Sequence, residues 1–544
     1  MKKLAIILIL VLVSVAALSQ VAPQKYFIEF MDKTNSLYSI NSPAQFLSYR
    51  AIERRQKQGI PIIENDIPVN ESYINRIRTY NVTVLTRSKW FNGITIYCLN
   101  PSIIDSIMRL PFVKRLYKSQ FIENLNTSYS DNKFRLEEVL LNVTGQSPVP
   151  KKSGYMVNTG YDYGPSFNQI HMLNGDSLHK LGYRGEGMVI AVLDAGFLNV
   201  DKLPAFDSLR LNNQILGTKD FVKPGNNVYN EYLHGMEVLS CMGGNIPGQL
   251  IGTAPKAAYW LLRSEDATSE YLIEEYNWVS AAEFADSVGA DVINSSLGYT
   301  EFDEASQNHT CKDMNGNTNP ATRGANIAAS KGMIVVCSAG NSGQKPWKCI
   351  SSPADGSGVL AVAAVDASGI RAPFSSVGEA MTRIKPNVAA QGAAAVVSST
   401  TGAIMVNSGT SFSSPIMAGM AACLWQAAPA WSSSLITRSI ELSSNQVSKP
   451  DSLLGYGIPD FIKALQHLNV DQKEMKNVLH VYPNPFTDGF RVSFNAGSAQ
   501  DYNATLYNNM GLAVYSVHNK SDRAGYHEFV IPDMAFLPNG NYIL

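Results

Sequence analysis

From residue 183 onward the chain alternates short, almost wholly apolar runs with longer segments of mixed polarity. Met188-Val189-Ile190-Ala191-Val192-Leu193 is one such run, and residues 258–262, Val292-Ile293 and residues 333–337 are others. Short runs without period-two alternation read as strands buried on both faces. Residues 235–243 and 271–288 read as helices lying between them. Buried strands alternating with helices predict an α/β unit, a parallel sheet with helices on both faces.

The flanking segments follow other patterns. Residues 26–30 alternate like a strand and residues 43–58 read as a helix with a basic outer face. Residues 82–85 and 93–99 read as strands, 102–110 as a helix and 113–117 as a last strand. The order β-α-β-β-α-β is that of a small ferredoxin-like α+β domain. Residues 121–165 hold no sustained periodicity and are rich in Asn, Ser, Pro and Gly, which predicts a linker with an easily cut Lys151-Lys152. Near the end, short alternating runs at 490–494, 504–507, 512–516 and 527–531 are separated by Gly, Asn and Asp, the pattern of a small all-β sandwich. The predicted division is 20–120, a linker 121–165, 166–468, a linker 469–477, and 478–544.

With 544 residues the chain is too long for one core and suggests three or four domains. Its 45% hydrophobic and 16% charged residues are ordinary globular composition, and a net charge of −1 offers no basic footprint for nucleic acid. Lys2 and Lys3 precede an apolar run over residues 4–18, and Ala17-Leu18-Ser19 supplies small residues before Gln20. That is the pattern of a cleaved signal peptide over residues 1–19. The run is short for a membrane span and no later run is long and apolar enough to be one, so a secreted or cell-surface protein without a transmembrane segment in its mature form is expected. Cys241, Cys337 and Cys423 lie in apolar surroundings and read as small buried hydrophobes, while Cys98 belongs to the first domain. Cys311 and Cys349 lie in polar, loop-like sequence and are the expected disulfide, closing the loop around Asn315-Gly316-Asn317.

In a parallel sheet the working residues gather past the carboxyl ends of the strands. Those ends carry Asp194, Asn294-Ser295-Ser296-Leu297-Gly298 and Ser338-Ala339-Gly340-Asn341; His234-Gly235 opens one helix and Ser411 another. Each has an ordinary reading as a turn former, an exposed helix start or a left-handed turn residue. Together they supply a nucleophile, a base, an orienting carboxylate and an amide donor, the inventory of acyl transfer. The stretch Ser408-Gly409-Thr410-Ser411-Phe412-Ser413-Ser414-Pro415 runs into an apolar segment over residues 416–425 that reads as a helix buried on all sides, with Pro415 in its first turn. Taken alone, the stretch reads more readily as a Ser/Thr cap before a core helix. A serine at the mouth of such a helix also sits where amide N–H groups and the positive dipole end converge, which suits an oxyanion.

Val192-Leu193-Asp194-Ala195-Gly196, His234-Gly235-Met236-Glu237-Val238, Val292-Ile293-Asn294-Ser295-Ser296-Leu297-Gly298, Ser338-Ala339-Gly340-Asn341 and Gly409-Thr410-Ser411-Phe412-Ser413-Ser414-Pro415 resemble the motifs of subtilisin-like serine proteases. They stand in that family's order of Asp, His, Asn, Ser. Gly252-Thr253-Ala254-Pro255 and Lys385-Pro386-Asn387 resemble two further landmarks, and the likeness spans residues 170–465. It implies a subtilisin-like fold and peptide hydrolysis with Ser411 as nucleophile, His234 as base, Asp194 as the orienting acid, and Asn341 with the Ser411 N–H as oxyanion hole. It further implies that Ser296, Leu297, Gly298, Ala339 and Gly340 bind an extended substrate backbone, with a second edge near residues 268–271 and Trp347-Lys348-Cys349-Ile350 beside the primary pocket. Lys348 would there favour acidic side chains. Such chemistry requires no cofactor; structural calcium is common in the family, but no ligand run for it can be numbered in this sequence.

Ala195 stands where the family usually has Thr or Ser, and Met236 where it has Thr, so supporting hydrogen bonds are expected to differ rather than the reactive groups. Placed ahead of a protease unit, the first domain resembles the family's inhibitory propeptide, removed by the enzyme it helped to fold; a permanent N-terminal binding domain is the alternative. Tyr482-Pro483-Asn484-Pro485, Tyr507-Asn508-Asn509-Met510-Gly511 and Pro538-Asn539-Gly540-Asn541-Tyr542 resemble the C-terminal sorting domain of the type IX secretion system, with an ordinary β accessory module as the alternative. Expected partners are thus polypeptide substrates, the chain's own propeptide and an export machinery, with no nucleic acid. A lipase or esterase carries G-x-S-x-G and the order Ser, acid, His. Here the window is Gly409-Thr410-Ser411-Phe412-Ser413 and the acid comes first, which excludes it. A non-catalytic adhesion protein on a protease fold has only Ala195 and Met236 in its favour.

Overall fold

The computed structural model describes residues 22–116, 160–378, 383–474, 479–482, 486, 488–496, 499–521 and 525–544. The expectations for the signal peptide, for linker residues 121–159 and 475–477, and for the Pro483-Asn484-Pro485 part of the sorting-domain motif lie outside them. No helix among the described residues is long and apolar enough to cross a membrane.

Seven described strands form a parallel sheet in the spatial order Ile215–Asp220, Ala258–Arg263, Val189–Asp194, Val292–Ser295, Ile334–Ser338, Val359–Val365, Val388–Gln391. The strand order reverses around Val189–Asp194, and the crevice at such a reversal is where α/β sheets bind ligands. Four of these strands match the apolar runs of the sequence; the outer Ile215–Asp220 and the Ala-rich Val359–Val365 and Val388–Gln391 were not assigned from it.

The helix Thr410–Ala427 packs on the sheet with every residue from Thr410 to Trp425 buried. It begins earlier than the apolar pattern predicts, so Pro415 falls in the second turn rather than the first. An interior proline costs about 3 kcal/mol. Burying Phe412, Ile416, Met417, Met420 and Leu424 contributes about 1.5–3 kcal/mol each, which easily outweighs it. Near this helix His179 is fully buried: its Nδ1 accepts from Tyr163 Oη at 2.8 Å and its Nε2–H donates to the Thr253 carbonyl at 2.9 Å. Tyr163 is itself buried, and Gly248 N–H bonds the Asp162 carbonyl at 2.8 Å, so residues 162–165 belong to the packed unit and not to the linker predicted there. At the other end the helix Phe461–Glu474 runs on past residue 468.

The first domain is an antiparallel sheet in the order Thr83–Ser88, Gly93–Tyr97, Lys25–Phe30, Val113–Leu116, the ferredoxin-like arrangement. Its helices are Tyr49–Lys57, Glu71–Arg78 and Pro101–Met108, the middle one unassigned from sequence. The basic face predicted to point outward points inward instead. Arg54 and Arg55 are 4% and 0% exposed because they meet an acidic face on the helix Ile273–Val288. Asp286 lies 2.6 Å from Arg54, 2.7 Å from Arg55 and 3.0 Å from Lys89, and Asp66 bridges Arg55 and Lys331 at 2.8 and 2.9 Å. Burial pushes the Asp286 carboxyl up, but the three cations outweigh it and hold the group well below the usual range. One turn earlier, Glu283 accepts from Ser88 Oγ and from the N–H groups of Lys89 and Trp90. Phe27 stacks on Tyr276, with ring centroids 4.2 Å apart.

At the C-terminal end, His480–Tyr482, Phe490–Ala496 and Gly525–Ile531 form one sheet and Gln500–Asn508, Ala513–Ser521 and Tyr542–Ile543 another. Phe490, Val492, Leu506 and Ile531 are buried between them, the expected sandwich.

Candidate active site

Asp194 ends the strand Val189–Asp194 and is fully buried. Ala195 N–H donates to its Oδ1 at 2.7 Å. The loop beyond runs beside the segment leading to the helix His234–Gly243: Phe197 N–H bonds the Val228 carbonyl at 2.9 Å, and Asn199 N–H bonds that of Tyr229 at 3.0 Å. This brings His234 against Asp194, Nδ1 to Oδ1, at 2.7 Å. A carboxylate only accepts, so Nδ1 carries the hydrogen and Nε2 is the basic nitrogen. The approach demands Gly235, where a Cβ would stand 2.4 Å from the Gly196 carbonyl and 2.8 Å from Asp194 Cβ.

Ser411 is the second residue of the helix Thr410–Ala427 and 4% exposed. The ring of its neighbour Phe412 lies 6.3 Å from that of His234, centroid to centroid. Ser296 Oγ donates to the Ser411 carbonyl at 2.8 Å, and Ser411 Oγ lies 3.4 Å from the Ser296 carbonyl. Asn294 joins both sides, accepting from Ser414 Oγ at 2.9 Å and donating to Ser296 Oγ at 3.3 Å. Thr410 contributes what the sequence reading took for part of a cap. Its N–H and its Oγ1 each donate to Asn341 Oδ1 at 2.8 Å, while Gly340 N–H donates to Thr410 Oγ1 at 3.1 Å. With its oxygen turned to these two donors, Asn341 presents its NH2 away from Thr410, the orientation an oxyanion donor needs.

The remaining residues marked from sequence border the same end of the sheet. Ser296, Leu297 and Ala339 are buried, Gly298 is exposed, and Gly340 takes a φ of +104°. Between the two glycines stands Ser351, which sequence reasoning missed. A Cβ on Gly298 would meet Ser351 Oγ at 2.2 Å, and one on Gly340 would meet it at 3.1 Å. Ser351 is 4% exposed and its hydroxyl has no hydrogen-bond partner among the described residues. It lies two residues past the Cys311–Cys349 disulfide, whereas Lys348 is exposed. The polar groups nearest these glycines are thus hydroxyls, that of Ser351 and, 2.9 Å from a Cβ on Gly340, that of Ser376.

Met236 is buried in the main core. Glu265, Glu270 and Glu274 bring carboxylate oxygens within 4.8 Å of one another, and Tyr299 Oη donates to Glu265 at 2.9 Å. These are hard donors of the kind calcium takes, but fewer than its usual set of about six to eight oxygens.

A family model described as the subtilase family matches residues 185–457. A peptidase S8 propeptide domain of Bacteroidota matches residues 25–135, and a secretion system C-terminal sorting domain matches residues 480–544. The chain is similar to subtilisin NAT of Bacillus subtilis subsp. natto, 29% identical over 276 residues that cover 50% of this chain and 64% of the relative. Subtilisin E of Bacillus subtilis (strain 168) matches with the same identity and coverage. The chain thus spans less than two thirds of the length of these relatives. Among solved structures it is similar to MycP1 from the ESX-1 type VII secretion system, with a TM-score of 0.45 and 21% identity, covering 59% of this chain and 90% of that one.

Proposed function

The chain belongs to the subtilase family, and from that membership we propose that it is a serine endopeptidase made as a self-processing precursor. Its sorting domain marks it as a secreted or cell-surface protein. The observation that carries the reading is the 2.7 Å contact of His234 Nδ1 with Asp194 Oδ1, beside a buried helix whose second residue is Ser411.

In this reading Ser411 Oγ attacks the scissile carbonyl carbon while its proton passes to His234 Nε2. Asp194 holds the tautomer and stabilises the imidazolium. The oxyanion is bound by the Asn341 side-chain amide and the Ser411 N–H; when the tetrahedral intermediate collapses, the C–N bond breaks and His234 returns the proton to the leaving amine. Water then hydrolyses the acyl-enzyme by the same route. Nucleophile, base and oxyanion donors all come from the chain, and the reaction calls for no cofactor. An extended polypeptide would lie against Ser296, Leu297, Gly298, Ala339 and Gly340, and the export machinery would read the last domain.

The docked first domain supports the precursor reading, with cleavage falling in the linker. The test uses Ser411→Ala made in a protease-deficient host. It should hydrolyse no peptide, resist labelling by a fluorophosphonate, and remain one polypeptide where the wild type separates into two. Wild-type hydrolysis by this variant would remove Ser411 from its role; wild-type cleavage of its own linker would show that maturation is the work of another protease.

A further inference from the structure

Arg263 ends the strand Ala258–Arg263, in register with Asp194, and only 3% of its side chain is exposed. Its Nε–H donates to the Ala195 carbonyl at 3.0 Å and one terminal nitrogen donates to Asp220 Oδ2, also at 3.0 Å. The other lies 3.1 Å from Glu231 Oε2 and 3.8 Å from Asp266 Oδ1. These four partners sit on four different segments at the carboxyl edge of the sheet. Ala195 follows Asp194; Asp220 closes the strand Ile215–Asp220; Glu231 stands three residues before His234; Asp266 leads into residues 268–271. Backbone bonds join the same segments: Ser264 N–H to the Asp194 carbonyl at 3.0 Å and Phe221 N–H to that of Arg263 at 2.8 Å. Asn226 Nδ2 donates to both Asp220 and Glu231.

Grouping charges in the interior is a poor way to gain stability, since desolvation costs several kcal/mol per ion and apolar packing serves as well. What a guanidinium adds is geometry, a planar fork whose donors stand at fixed angles. Here the fork spans the loop that carries the acid and the loop that carries the base. Ala195 offers no side-chain oxygen to brace Asp194, and the loop is braced through its carbonyl instead.

We infer that Arg263 is a positioning residue, which sets the relation of Asp194 to His234 from behind by fixing the loops of Ala195 and Glu231 to each other. The inference rests on the endopeptidase reading. It touches neither substrate nor reacting atoms, so its signature is a change in turnover without a change in substrate binding.

The experiment compares full-length wild type, Arg263→Met and Arg263→Lys on a fluorogenic peptide, with active sites counted by fluorophosphonate labelling so that kcat is per labelled serine. Arg263→Met should lower kcat about tenfold to a hundredfold with KM within about twofold of wild type. Arg263→Lys keeps the cation but has no fork, and should restore part of that loss. If Arg263→Met does not fold, Arg263→Lys decides alone, with an expected kcat below wild type. Equal kcat in the variants, or a loss confined to KM, overturns the inference while leaving the endopeptidase reading intact. A wild-type chain that neither labels nor cleaves overturns both.

Discussion

Ser296 Oγ donates to the main-chain carbonyl of Ser411 at 2.8 Å, and Pro415 is what leaves that carbonyl to be taken. In an uninterrupted helix the N–H of residue 415 would bond it; proline has none. The imino acid in the second turn thus frees an acceptor, which ties the backbone of the proposed nucleophile to the segment proposed to hold substrate. Ser296→Ala is expected to lower kcat about tenfold and stability by about 1–2 kcal/mol, the loss of one buried hydrogen bond. Steady-state kinetics and thermal melts of the same preparation measure the two together.

Asn341→Ala should lower kcat by about a hundredfold to a thousandfold with little change in KM, because the oxyanion exists only near the transition state. That range is the one known for a subtilisin oxyanion donor. Thr410→Val, which removes one of the two donors to Asn341 Oδ1, should reproduce part of the loss. A loss in KM alone would assign Asn341 to ground-state binding.

His179 should make the fold sensitive to mild acid. Burial lowers its pKa from 6.5 to about 4, so the folded chain keeps the ring neutral while the unfolded chain takes up a proton. The stabilisation is whole above pH 6.5 and is lost as pH falls through 4, a change of about 3 kcal/mol. A His179→Gln chain should lose this slope, its melting temperature varying less than wild type across the same interval.

At the contact of the first domain with the helix Ile273–Val288, Asp286→Ala would leave Arg54, Arg55 and Lys89 buried without their shared anion. Removing one member of a buried ion group costs about 3–5 kcal/mol. The separated first domain should therefore bind the Asp286→Ala peptidase unit at least about a hundredfold more weakly than wild type, read as its inhibition constant when added in trans.

Elements whose signal is local were legible in the sequence. Val189–Asp194, Ala258–Arg263, Val292–Ser295 and Ile334–Ser338 follow from apolar runs between turn formers; of the candidate site residues, Asp194 and Asn341 stand at or just past strand ends, and His234 and Ser411 at helix starts. Ile215–Asp220 escaped because it is the edge strand, with exposed positions and a Lys-Asp end. Val359–Val365 escaped because an Ala-rich apolar run has no period that separates strand from helix. The inward turn of Arg54 and Arg55 was hidden for another reason: a cationic stripe reads as solvated until the acidic helix facing it is known. Thr410, Ser351 and Arg263 owe their surroundings to segments distant in sequence, which no single-chain pattern brings together.

Asp194 closes the strand Val189–Asp194 and His234 opens the helix His234–Gly243, while Ser411 arrives far later in the chain on the helix Thr410–Ala427. In the proposed mechanism the acid and base are therefore synthesised before there is a hydroxyl for them to activate. A chain halted before Ser411 would lack the proposed nucleophile and should hydrolyse no peptide. In that mechanism the sequence order of the three residues would act as a delay, since the proposed nucleophile emerges only after all seven described strands of the parallel sheet.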